Sequence, residues 1–585
     1  MESEQPPKLS PAETLKDKSQ FLRGTIQESL KQDTSHFVKD ETNLLKFHGT
    51  YQQDDRDTRQ PLQKEGKEPA YSMMVRSKIP GGRLTSDQYL VHDELADKYG
   101  NKTLRITTRQ GFQFHGVLKK NVKAVIKSIN KSLVTTSGAC GDIVRNVLAC
   151  PAPFQDRQKM DIYKYAKAVS DQFISRSGSY HEIWLDGEKA AHIPEPLGEE
   201  PIFGKTYLPR KFKIAIAFPD DNCIDVYSND LGIVPEIQFP SPGLRPPSPT
   251  GRGEGEGRLT GFNILVGGGF GMTHGLTYTY PRVASPLCFV KPEELLEISK
   301  AVVLVQRDHG NRADRRRARL KYLIDNKGLD WFRAEVEKRF GKKTESAHPI
   351  RWKTIENHLG WHQEMNGTWF LGLYIENGRI KDEASYRLKT ALKTLVQKYR
   401  PALYLTAQQD ILISGFQEGQ KKEVEALLTS HGVKLPDQLS NLRRDAMACP
   451  ALPTCGLAIA ESERVLPGII DGLEQKALKL GLEGQRIMVR MTGCPNGCAR
   501  PYNAEMAFVG RGPGLYAVLV GGSLTGERLN FSVAEKVPEK DIPSVAEALF
   551  SLYKQGRKSQ EGFGDFCSRT GAEKLKTAIQ DFPKA

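Results

Sequence analysis

The 585-residue sequence has no run of about 18 apolar residues, the length that a membrane-spanning helix needs. Its first residues, MESEQPPKLSPAETLKDK, lack the apolar core of a secretion signal, and their acidic side chains argue against an organelle transit peptide. We therefore expect a cytoplasmic protein without membrane attachment. Hydrophobic residues make up 38% and charged residues 26% of the chain. This composition is typical of a soluble globular protein, and the length predicts roughly three to five domains.

Cysteine is scarce, with nine residues in the chain. An odd number without a secretion signal argues against a disulfide framework. Four of the nine lie between positions 449 and 498. Such clustering indicates a metal or cofactor site.

Several motifs are also missing. LVGGG and LVGGS lack the complete glycine fingerprint and its acidic partner, which excludes a flavin or nicotinamide domain of that type.

The formal net charge of +14 suits nucleic acid, an acidic protein, an anionic substrate or simply a basic surface. No RNA-binding aromatic signature or helix-turn-helix pattern is present, so we do not expect nucleic acid as a partner.

Two parts of the sequence resemble each other in five places that occur in the same order. The matched pairs are IPGGRL (79–84) with IENGRI (375–380), LRITTRQGFQFHG (104–116) with LYLTAQQDILISG (403–415), ACPAP (149–153) with ACPAL (448–452), KFKIAIAFPDDNC (211–223) with RIMVRMTGCPNGC (486–498), and FNILVGG (262–268) with YAVLVGG (516–522). Because five matches keep one order, the pattern predicts an internal duplication.

Each copy is predicted to be α/β, because short β-rich runs such as KIAIAF and RIMVRM alternate with amphipathic helical stretches. Residues 239–258 interrupt the first copy with a segment rich in proline, glycine and charge, which we expect to be a disordered surface loop. Residues 307–345 read as a basic helical connector. Its arginines either form a solvated face or bind an anionic cofactor.

The second copy carries Cys449 and Cys455, with five residues between them, and Cys494 and Cys498, with three residues between them. Four thiolates in two close pairs fit an iron–sulfur cluster or a structural zinc. The five-residue gap is less natural for zinc, so we favour a four-iron cluster. The glycines of TGCPNGC allow the backbone to approach a bulky cluster closely.

The first copy keeps only part of this cysteine pattern. Cys150 aligns with Cys449 and Cys223 with Cys498, whereas Pro219 aligns with Cys494. The protein should therefore hold a single cluster, and the first copy is free to bind a second cofactor. The alignment places Cys150 near that cofactor, with packing as its simplest role.

The cysteine motifs resemble those of the siroheme-dependent sulfite and nitrite reductases. The likeness runs from SQFLRGTI (19–26) to EGFGDFCSRTG (561–571) and is greatest to assimilatory sulfite reductase hemoproteins. Further matching motifs are FHGTYQQDDRD, TTRQGFQFHG, RNVLACPAP, YLPRKFK, LVGGG and QRDHGNRADRRRARLKY. Only the 239–258 insertion falls clearly outside the resemblance.

The resemblance implies a duplicated, pseudo-twofold architecture of mixed α+β and α/β type, with ferredoxin-like half-domains and two mixed α/β domains. The implied domains are an N-terminal arm (1–68), the first ferredoxin-like half-domain (69–138), a siroheme and substrate domain (139–345), the second ferredoxin-like half-domain (346–432) and an iron–sulfur domain (433–585).

The resemblance also implies the cofactors and the reaction. One 4Fe-4S cluster and a siroheme are expected, with Cys498 bridging the cluster and the siroheme iron. The implied reaction is the six-electron reduction of sulfite to sulfide. Electrons are expected from a separate protein, either an NADPH-dependent flavoprotein subunit, which we favour, or a ferredoxin.

Four cationic residues are implied to bind the substrate: Arg76, Arg145, Lys211 and Lys213. Arginine holds oxyanions through two parallel hydrogen bonds, and lysine can release protons when its pKa is lowered. On a strand, Lys211 and Lys213 would point to one face and Arg210 to the other. Without the resemblance, each of these residues would read as an ordinary surface charge.

Further residues are implied to bind the siroheme, whose carboxylates require cations. These are Cys498, Arg105, Arg109, His115, Arg210, Asn496 and arginines of GNRADRRR (310–317). We expect Arg105, Arg109 and His115 to lie along one strand. The second copy has the uncharged Tyr404, Gln408 and Ser414 at the corresponding positions, which indicates that the two copies are used differently.

Two other functions are compatible with parts of the pattern. A siroheme nitrite reductase would share the fold and cofactors and would make ammonia, although the four cations favour the doubly charged sulfite. A basic nucleic-acid-binding protein with a structural iron–sulfur cluster would explain the net charge but not the duplicated core. A pure electron carrier would not need the cationic residues.

Overall fold

The computed structural model describes residues 8–153, 157–188, 192, 196, 198, 200–238 and 257–581, with only the backbone of 157–161. The predicted insertion at 239–258 therefore lies outside the described residues except for Gly257 and Arg258. In the described part of the chain, no helix is long and apolar enough to cross a membrane.

The first copy, with the arm that precedes it, contains eleven described strands. They are β1 (Thr50–Asp54), β2 (Tyr71–Arg76), β3 (Arg83–Leu84), β4 (Leu104–Ile106), β5 (Phe112–Val117), β6 (Leu148–Ala149), β7 (Ile214–Ile216), β8 (Asp220–Asp221), β9 (Leu231–Gln238), β10 (Arg258–Val266) and β11 (Ser285–Val290).

The second copy contributes the remaining described strands. They are β12 (Trp352–Thr354), β13 (Gly360–Gln363), β14 (Trp369–Leu373), β15 (Arg379–Ile380), β16 (Asp382–Glu383), β17 (Tyr386–Arg387), β18 (Ala402–Leu405), β19 (Ile411–Phe416), β20 (Met447–Ala448), β21 (Val489–Thr492), β22 (Met506–Gly512), β23 (Leu515–Val520) and β24 (Phe531–Pro538).

The described helices pack around these strands. They are α1 (Pro11–Lys18), α2 (Ile26–Ser29), α3 (Lys39–Leu45), α4 (Arg56–Lys64), α5 (Ser86–Tyr99), α6 (Val122–Lys131), α7 (Arg157–Gln172), α8 (Ser179–Leu185), α9 (Leu295–His309), α10 (Leu320–Lys327), α11 (Leu329–Phe340), α12 (Leu388–Tyr399), α13 (Lys421–Ser430), α14 (Asn441–Arg444), α15 (Leu466–Lys479), α16 (Ile542–Gly556), α17 (Phe563–Thr570) and α18 (Ala572–Gln580).

Local sequence explains these elements. Helix α6 buries Val122, Val125, Ile126 and Ile129, which recur at helical spacing on one face. Helix α5 begins after Thr85, whose hydroxyl accepts a hydrogen bond from the backbone of Gln88 while the Gln88 side chain binds back to the Thr85 amide. Most of the basic connector (307–345) is helical, as predicted, and it forms two helices, α10 and α11, that are separated at Gly328.

The two ferredoxin-like sheets exchange a strand. One has the order β1-β2-β5-β4-β15 and the other β13-β14-β19-β18-β3. Strand β15 belongs to the second copy but pairs with β4 of the first, while β3 of the first pairs with β18 of the second. Each sheet is therefore completed by the opposite copy.

Two glycines permit this exchange. Gly82 and Gly378 both have positive φ, at +73° and +75°. A Cβ on Gly82 would lie 2.3 Å from the carbonyl oxygen of Leu405, and one on Gly378 would lie 2.4 Å from that of Ile106. Since Leu405 and Ile106 occupy equivalent positions, the two contacts repeat each other, and only glycine fits at either one.

The larger sheets repeat each other in the same way. The first has the order β11-β10-β9-β7-β6 and the second β20-β21-β22-β23-β24. In each sheet, the three strands that come first along the chain are parallel to one another: β6, β7 and β9 in the first sheet, and β20, β21 and β22 in the second. The last two strands of each sheet, β10 and β11 or β23 and β24, are added antiparallel. The internal duplication and the mixed α+β and α/β architecture predicted from the sequence are confirmed.

One local expectation is wrong. Residues 104–116 form a hairpin rather than one strand, because β4 ends at Ile106 and β5 begins at Phe112. The turn is closed by a hydrogen bond from the Thr107 amide to the Gly111 carbonyl, and Gln110 has a φ of 51°. Arg105, Arg109 and His115 therefore lie on β4, in the turn and on β5.

Candidate active site

Three of the four clustered cysteines follow the carboxyl ends of two neighbouring parallel strands, and the fourth lies in the loop after the first strand. Cys449 directly follows β20, and Cys494 and Cys498 follow its neighbour β21. Cys455 lies in the loop after Cys449, where its amide donates to the carbonyl of Ala451 at 2.8 Å. Cys449 and Cys494 are buried, Cys455 is half-buried and Cys498 is exposed. None of the four forms a disulfide.

Hydrogen-bond donors point at these sulfurs. The Gly493 amide lies 3.4 Å from Cys449 Sγ, and Asn496 Nδ2 lies 3.5 Å from Cys494 Sγ. Burial, together with the neighbouring thiol of Cys498, raises the pKa of Cys494 to about 11. Buried thiols with raised pKa values lose their protons when metal cations supply positive charge. The donor set and the amides directed at it fit an iron–sulfur cluster.

The first copy holds the cysteine loop of the second. Thr108 Oγ1 donates to the Cys498 carbonyl at 3.1 Å. The Met272 amide donates to the Pro495 carbonyl at 3.0 Å, and Tyr502 of the second copy itself donates from its hydroxyl to the same carbonyl at 2.9 Å. The candidate site therefore lies where the two copies meet.

Lys211 and Lys213 flank the buried Phe212 just before β7 and are both half-buried. The Phe212 carbonyl accepts from the Arg145 amide at 2.9 Å, which places Arg145 beside the pair. Burial, followed by the charges of nearby arginines, lowers the pKa of Lys211 to about 7. The pKa of Lys213 is lowered well below its ordinary value for similar reasons. Cys498 acts in the opposite direction and raises the pKa of both lysines, so both lie within electrostatic reach of its sulfur.

Arg76 and Arg145 share two neighbours, Tyr51 and Cys140. Arg76 Nη1 lies 2.9 Å from Cys140 Sγ, and its guanidinium lies 5.9 Å from the centre of the Tyr51 ring. The guanidinium of Arg145 donates to the Gly141 carbonyl at 3.0 and 3.1 Å. Although burial opposes its charge, Tyr51 and Cys140 raise the pKa of Arg145. The predicted substrate-binding arginines therefore lie together.

Arg109 lies within electrostatic reach of Lys213, and Arg210 within reach of Lys211. Arg109 Nη1 donates to Asn229 Oδ1 at 2.9 Å, and its Nη2 donates to the Ile214 carbonyl at 3.1 Å. Arg210 lies 3.7 Å from Asp142, which also pairs with Arg315 of the basic connector at 2.5 Å. Burial lowers the pKa of Arg109 to about 9 and that of Arg210 to about 10.

Arg105 and His115 lie in a different environment. Arg105 Nε pairs with Glu463 Oε2 at 3.0 Å, and its Nη2 donates to the Ala448 carbonyl at 2.9 Å. Arg379 binds the same carboxylate at 2.6 Å. Burial, then the charges of Arg379 and Arg105, lower the pKa of His115 well below its ordinary value. A contact of Arg105 or His115 with siroheme stays a prediction.

Sequence reasoning missed several residues of this region. Tyr51 and Cys140 stand beside the predicted arginines, and Arg319 forms a buried pair with Asp230 at 2.8 Å. Asp230 also accepts from the Lys213 amide at 2.9 Å, so this pair fixes the backbone of the lysine. The sequence did contain features that point to two of these residues: Tyr51 lies in the matching motif FHGTYQQDDRD, and Arg319 lies in the basic connector.

The arrangement combines a sulfur-lined loop with four cations. Positive side chains that are partly withdrawn from water attract a small anion strongly. Lys211, with a pKa near neutrality, can both hold and release a proton at neutral pH. The site is therefore suited to binding an oxyanion and protonating its oxygens.

Comparison with protein families supports this interpretation. The model of the nitrite and sulphite reductase 4Fe-4S domain matches residues 140–344 and 441–584. The model of the nitrite/sulfite reductase ferredoxin-like half domain matches residues 64–132 and 362–431. Each model matches twice, as expected for a duplicated chain.

Individual proteins are similar over nearly the whole chain. A sulfite reductase (NADPH) hemoprotein beta-component from Anoxybacillus flavithermus is 44% identical, with 98% of this chain and 97% of that protein covered. A sulfite reductase (ferredoxin) from Synechococcus elongatus is 43% identical, with 99% and 92% covered. The structure of Mycobacterium tuberculosis NirA aligns over 98% of both chains with a TM-score of 0.78 and 22% identity, which shows the shared fold.

Proposed function

Because the chain belongs to the nitrite and sulphite reductase family, we propose that it reduces sulfite to sulfide between Arg76, Arg145, Lys211 and Lys213. Siroheme and one 4Fe-4S cluster are its cofactors. One sulfite dianion takes up six electrons and seven protons and yields hydrosulfide and three waters. When bound, the two cofactors supply the electrons and the iron atom that holds the sulfur.

The observation that carries this proposal is the position of Arg145 beside Lys211 and Lys213: its amide donates to the carbonyl of the intervening Phe212 at 2.9 Å, and both lysines lie within electrostatic reach of Cys498. We propose that Cys449, Cys455, Cys494 and Cys498 hold the cluster and that Cys498 also contacts the siroheme iron. The two lysines would then face the substrate rather than bulk solvent. Arg109, Arg210, Asn496, Arg105 and His115 are proposed as siroheme contacts.

The four cations have two tasks. Arg76 and Arg145 bind the oxyanion throughout the reaction, because a guanidinium holds an oxyanion through parallel hydrogen bonds. Lys211 and Lys213 hold protons that can be passed to oxygen as each S–O bond breaks, because their lowered pKa values make the proton easy to release. When the dianion binds, its charge raises the pKa of both lysines and favours their protonated forms.

The direct experiment measures product formation by cofactor-loaded protein with reduced viologen, comparing sulfite and nitrite at equal concentration. Sulfide formation from sulfite with the higher kcat/KM is the expected result. Efficient ammonia formation with poor sulfite turnover would overturn the proposal. It would also remove the argument that four cations select a doubly charged anion.

The electron donor is proposed to be a separate protein. We favour an NADPH-dependent flavoprotein subunit, with a ferredoxin as the alternative. Relatives carrying either designation are similarly identical to this chain, at 44% and 43%. Sulfide formation with each purified donor, under equal electron supply, decides between them. The expected cytoplasmic location stays a proposal.

A further inference from the structure

Four side chains with metal-binding atoms converge at a second place, three of them from the first copy and one from the segment that begins the second. They are Cys150, Asp221, Cys223 and His358, and their ligand atoms all lie within 4.8 Å of one another. Within the described residues, this is the one group of at least three cysteine, histidine or acidic side chains that meets so closely. Cys223 and His358 are 2% and 4% exposed, so the centre of the group is shielded from solvent.

Three segments bring the group together. Cys150 directly follows β6, Asp221 ends β8, and His358 lies four residues after β12, which pairs in parallel with β8. The Asn222 amide donates to the Thr354 carbonyl at 3.1 Å, which locks the two strands in register. The group therefore joins the first copy to the segment that enters the second.

The backbone at His358 supports a defined role for this side chain. His358 has a φ of 57°, in the left-handed region that residues other than glycine seldom adopt. Such a conformation persists where the surrounding structure enforces it. Here it turns the imidazole inward, where Nε2 lies 3.3 Å from Asp221 Oδ2 and 3.9 Å from Cys150 Sγ.

These spacings suit a tetrahedral metal ion. With zinc bonds of about 2.0–2.1 Å to nitrogen and oxygen and about 2.3 Å to sulfur, tetrahedral geometry separates N from O by about 3.3 Å and N from S by about 3.5 Å. The first distance is already present between His358 and Asp221. The second needs His358 and Cys150 to approach by a few tenths of an ångström, which a side-chain rotation supplies.

We propose that Cys150, Asp221, Cys223 and His358 bind one Zn²⁺ ion in a closed, structural site. Two thiolates, an imidazole and a carboxylate form a mixed donor set that zinc accepts readily, whereas calcium and magnesium prefer oxygen alone. The second oxygen of Asp221 accepts from the Glu356 amide at 3.0 Å, so the carboxylate is oriented by a partner outside the site.

The charge of the site is also balanced. Two thiolates and one carboxylate carry three negative charges, and a zinc ion leaves a net charge of −1. Arg500, which is buried, lies within electrostatic reach of Cys223 and offsets this remainder. The site is separate from the proposed cluster, although Cys150 and Cys223 align with Cys449 and Cys498. The duplication thus kept thiols at equivalent positions for two different metals.

Metal analysis of the purified holoenzyme tests the proposal. Zinc is measured by mass spectrometry after growth in zinc-supplemented medium and dialysis against metal-free buffer, with iron as an internal count. About one zinc per chain is expected. Zinc-edge X-ray absorption should then show two sulfur neighbours at about 2.3 Å and two lighter neighbours at about 2.0–2.1 Å.

Variants assign the ion to these residues. Cys223→Ser and the milder Asp221→Asn should lose at least tenfold in zinc content, while Cys288→Ser, which removes a buried thiol outside the group, should retain it. Less than one zinc per ten wild-type chains would overturn the proposal and leave a metal-free hydrogen-bonded group. So would unchanged zinc in the variants, or iron at the site in excess of the cluster and siroheme. If both variants fail to fold, the wild-type absorption spectrum decides alone.

Discussion

Asp225 and Arg500 occupy equivalent positions in the two copies, 275 residues apart, and they bind each other with Arg500 Nε 2.6 Å from Asp225 Oδ2. Both have a left-handed backbone, with φ values of 59° and 52°, and each precedes a single helical turn. Arg490 donates to the same Asp225 oxygen at 2.8 Å. Equivalent residues can touch only near the axis that relates the copies, so this buried ion pair marks that axis.

Asp225→Asn is expected to lower the free energy of unfolding by about 3–5 kcal/mol, because two buried guanidiniums lose their shared negative partner. The measurement is chemical denaturation of the holoenzyme. Asp565→Asn, which removes an exposed partner of Arg528, serves as the control and should change stability by less than about 1 kcal/mol. Equal effects of the two substitutions would show that the axial ion pair contributes no special stability.

Lys213→Ala is expected to lower kcat/KM for sulfite by about 100-fold while both cofactors remain bound, because it removes one of the two proposed proton donors. Steady-state kinetics with reduced viologen and the absorption spectrum of the siroheme provide the two measurements. Lys205→Ala changes an exposed lysine of the same segment and should leave turnover unaltered. Unchanged turnover in Lys213→Ala would place this lysine outside the substrate pocket.

The pH dependence of turnover should report Lys211. Its lowered pKa, about 7, means that the free enzyme loses this ammonium as pH rises through neutrality. Sulfite binding therefore weakens above about pH 7, and kcat/KM falls. The ratio of wild-type to Lys211→Met kcat/KM at each pH cancels the titration of sulfite itself. This ratio should decline as pH increases, and a constant ratio from pH 6 to 9 would contradict the assignment.

Cys498→Ser should abolish the electronic coupling between the cluster and the siroheme, because it removes the thiolate that we propose the two cofactors share. Mössbauer spectroscopy measures the coupling, and iron and siroheme analyses measure cofactor content. Cys567→Ser removes a buried thiol in another part of the chain and should leave all three unchanged. Intact coupling in Cys498→Ser would mean that another group bridges the two cofactors.

The role of Arg105 can be separated from its ion pair. Arg105 and Arg379 both bind Glu463, so replacing either with methionine removes one partner of the same carboxylate. If Arg105 also binds siroheme, only Arg105→Met lowers the siroheme content of the purified protein, and this is the result we expect. Equal siroheme contents in both variants would restrict Arg105 to its structural role.

Much of the architecture could be predicted because duplication leaves matching sequence at equivalent strands. The offset between KFKIAIAF and RIMVRM, for example, correctly paired β7 with β21. The hairpin within residues 104–116 was missed because its turn has a positive φ at Gln110 rather than at a recognisable Asn-Gly pair. Periodicity alone could not reveal that break.

Contacts between residues far apart in the sequence are the second feature that could not be predicted from the sequence. Glu463 neutralises Arg105 across 358 positions, and no pattern in either segment specifies that pairing. His358 has no counterpart in the cysteine motif. Its proximity to Cys150 could not be predicted from the sequence, because it depends on the pairing of β8 with β12. Sequence spacing identifies ligands that share a loop, but not ligands that the tertiary structure assembles.

The exchange of β3 and β15 bears on the history of the molecule. In a single ancestral unit, the same short strand would have completed the sheet of a second subunit, and two such subunits would have formed a closed, symmetric dimer. Joining the two genes turned that intersubunit contact into one within a single chain. A protein cut at residue 345 and expressed as two pieces would have to restore the ancestral dimer, since neither piece contains all the strands of its own sheet.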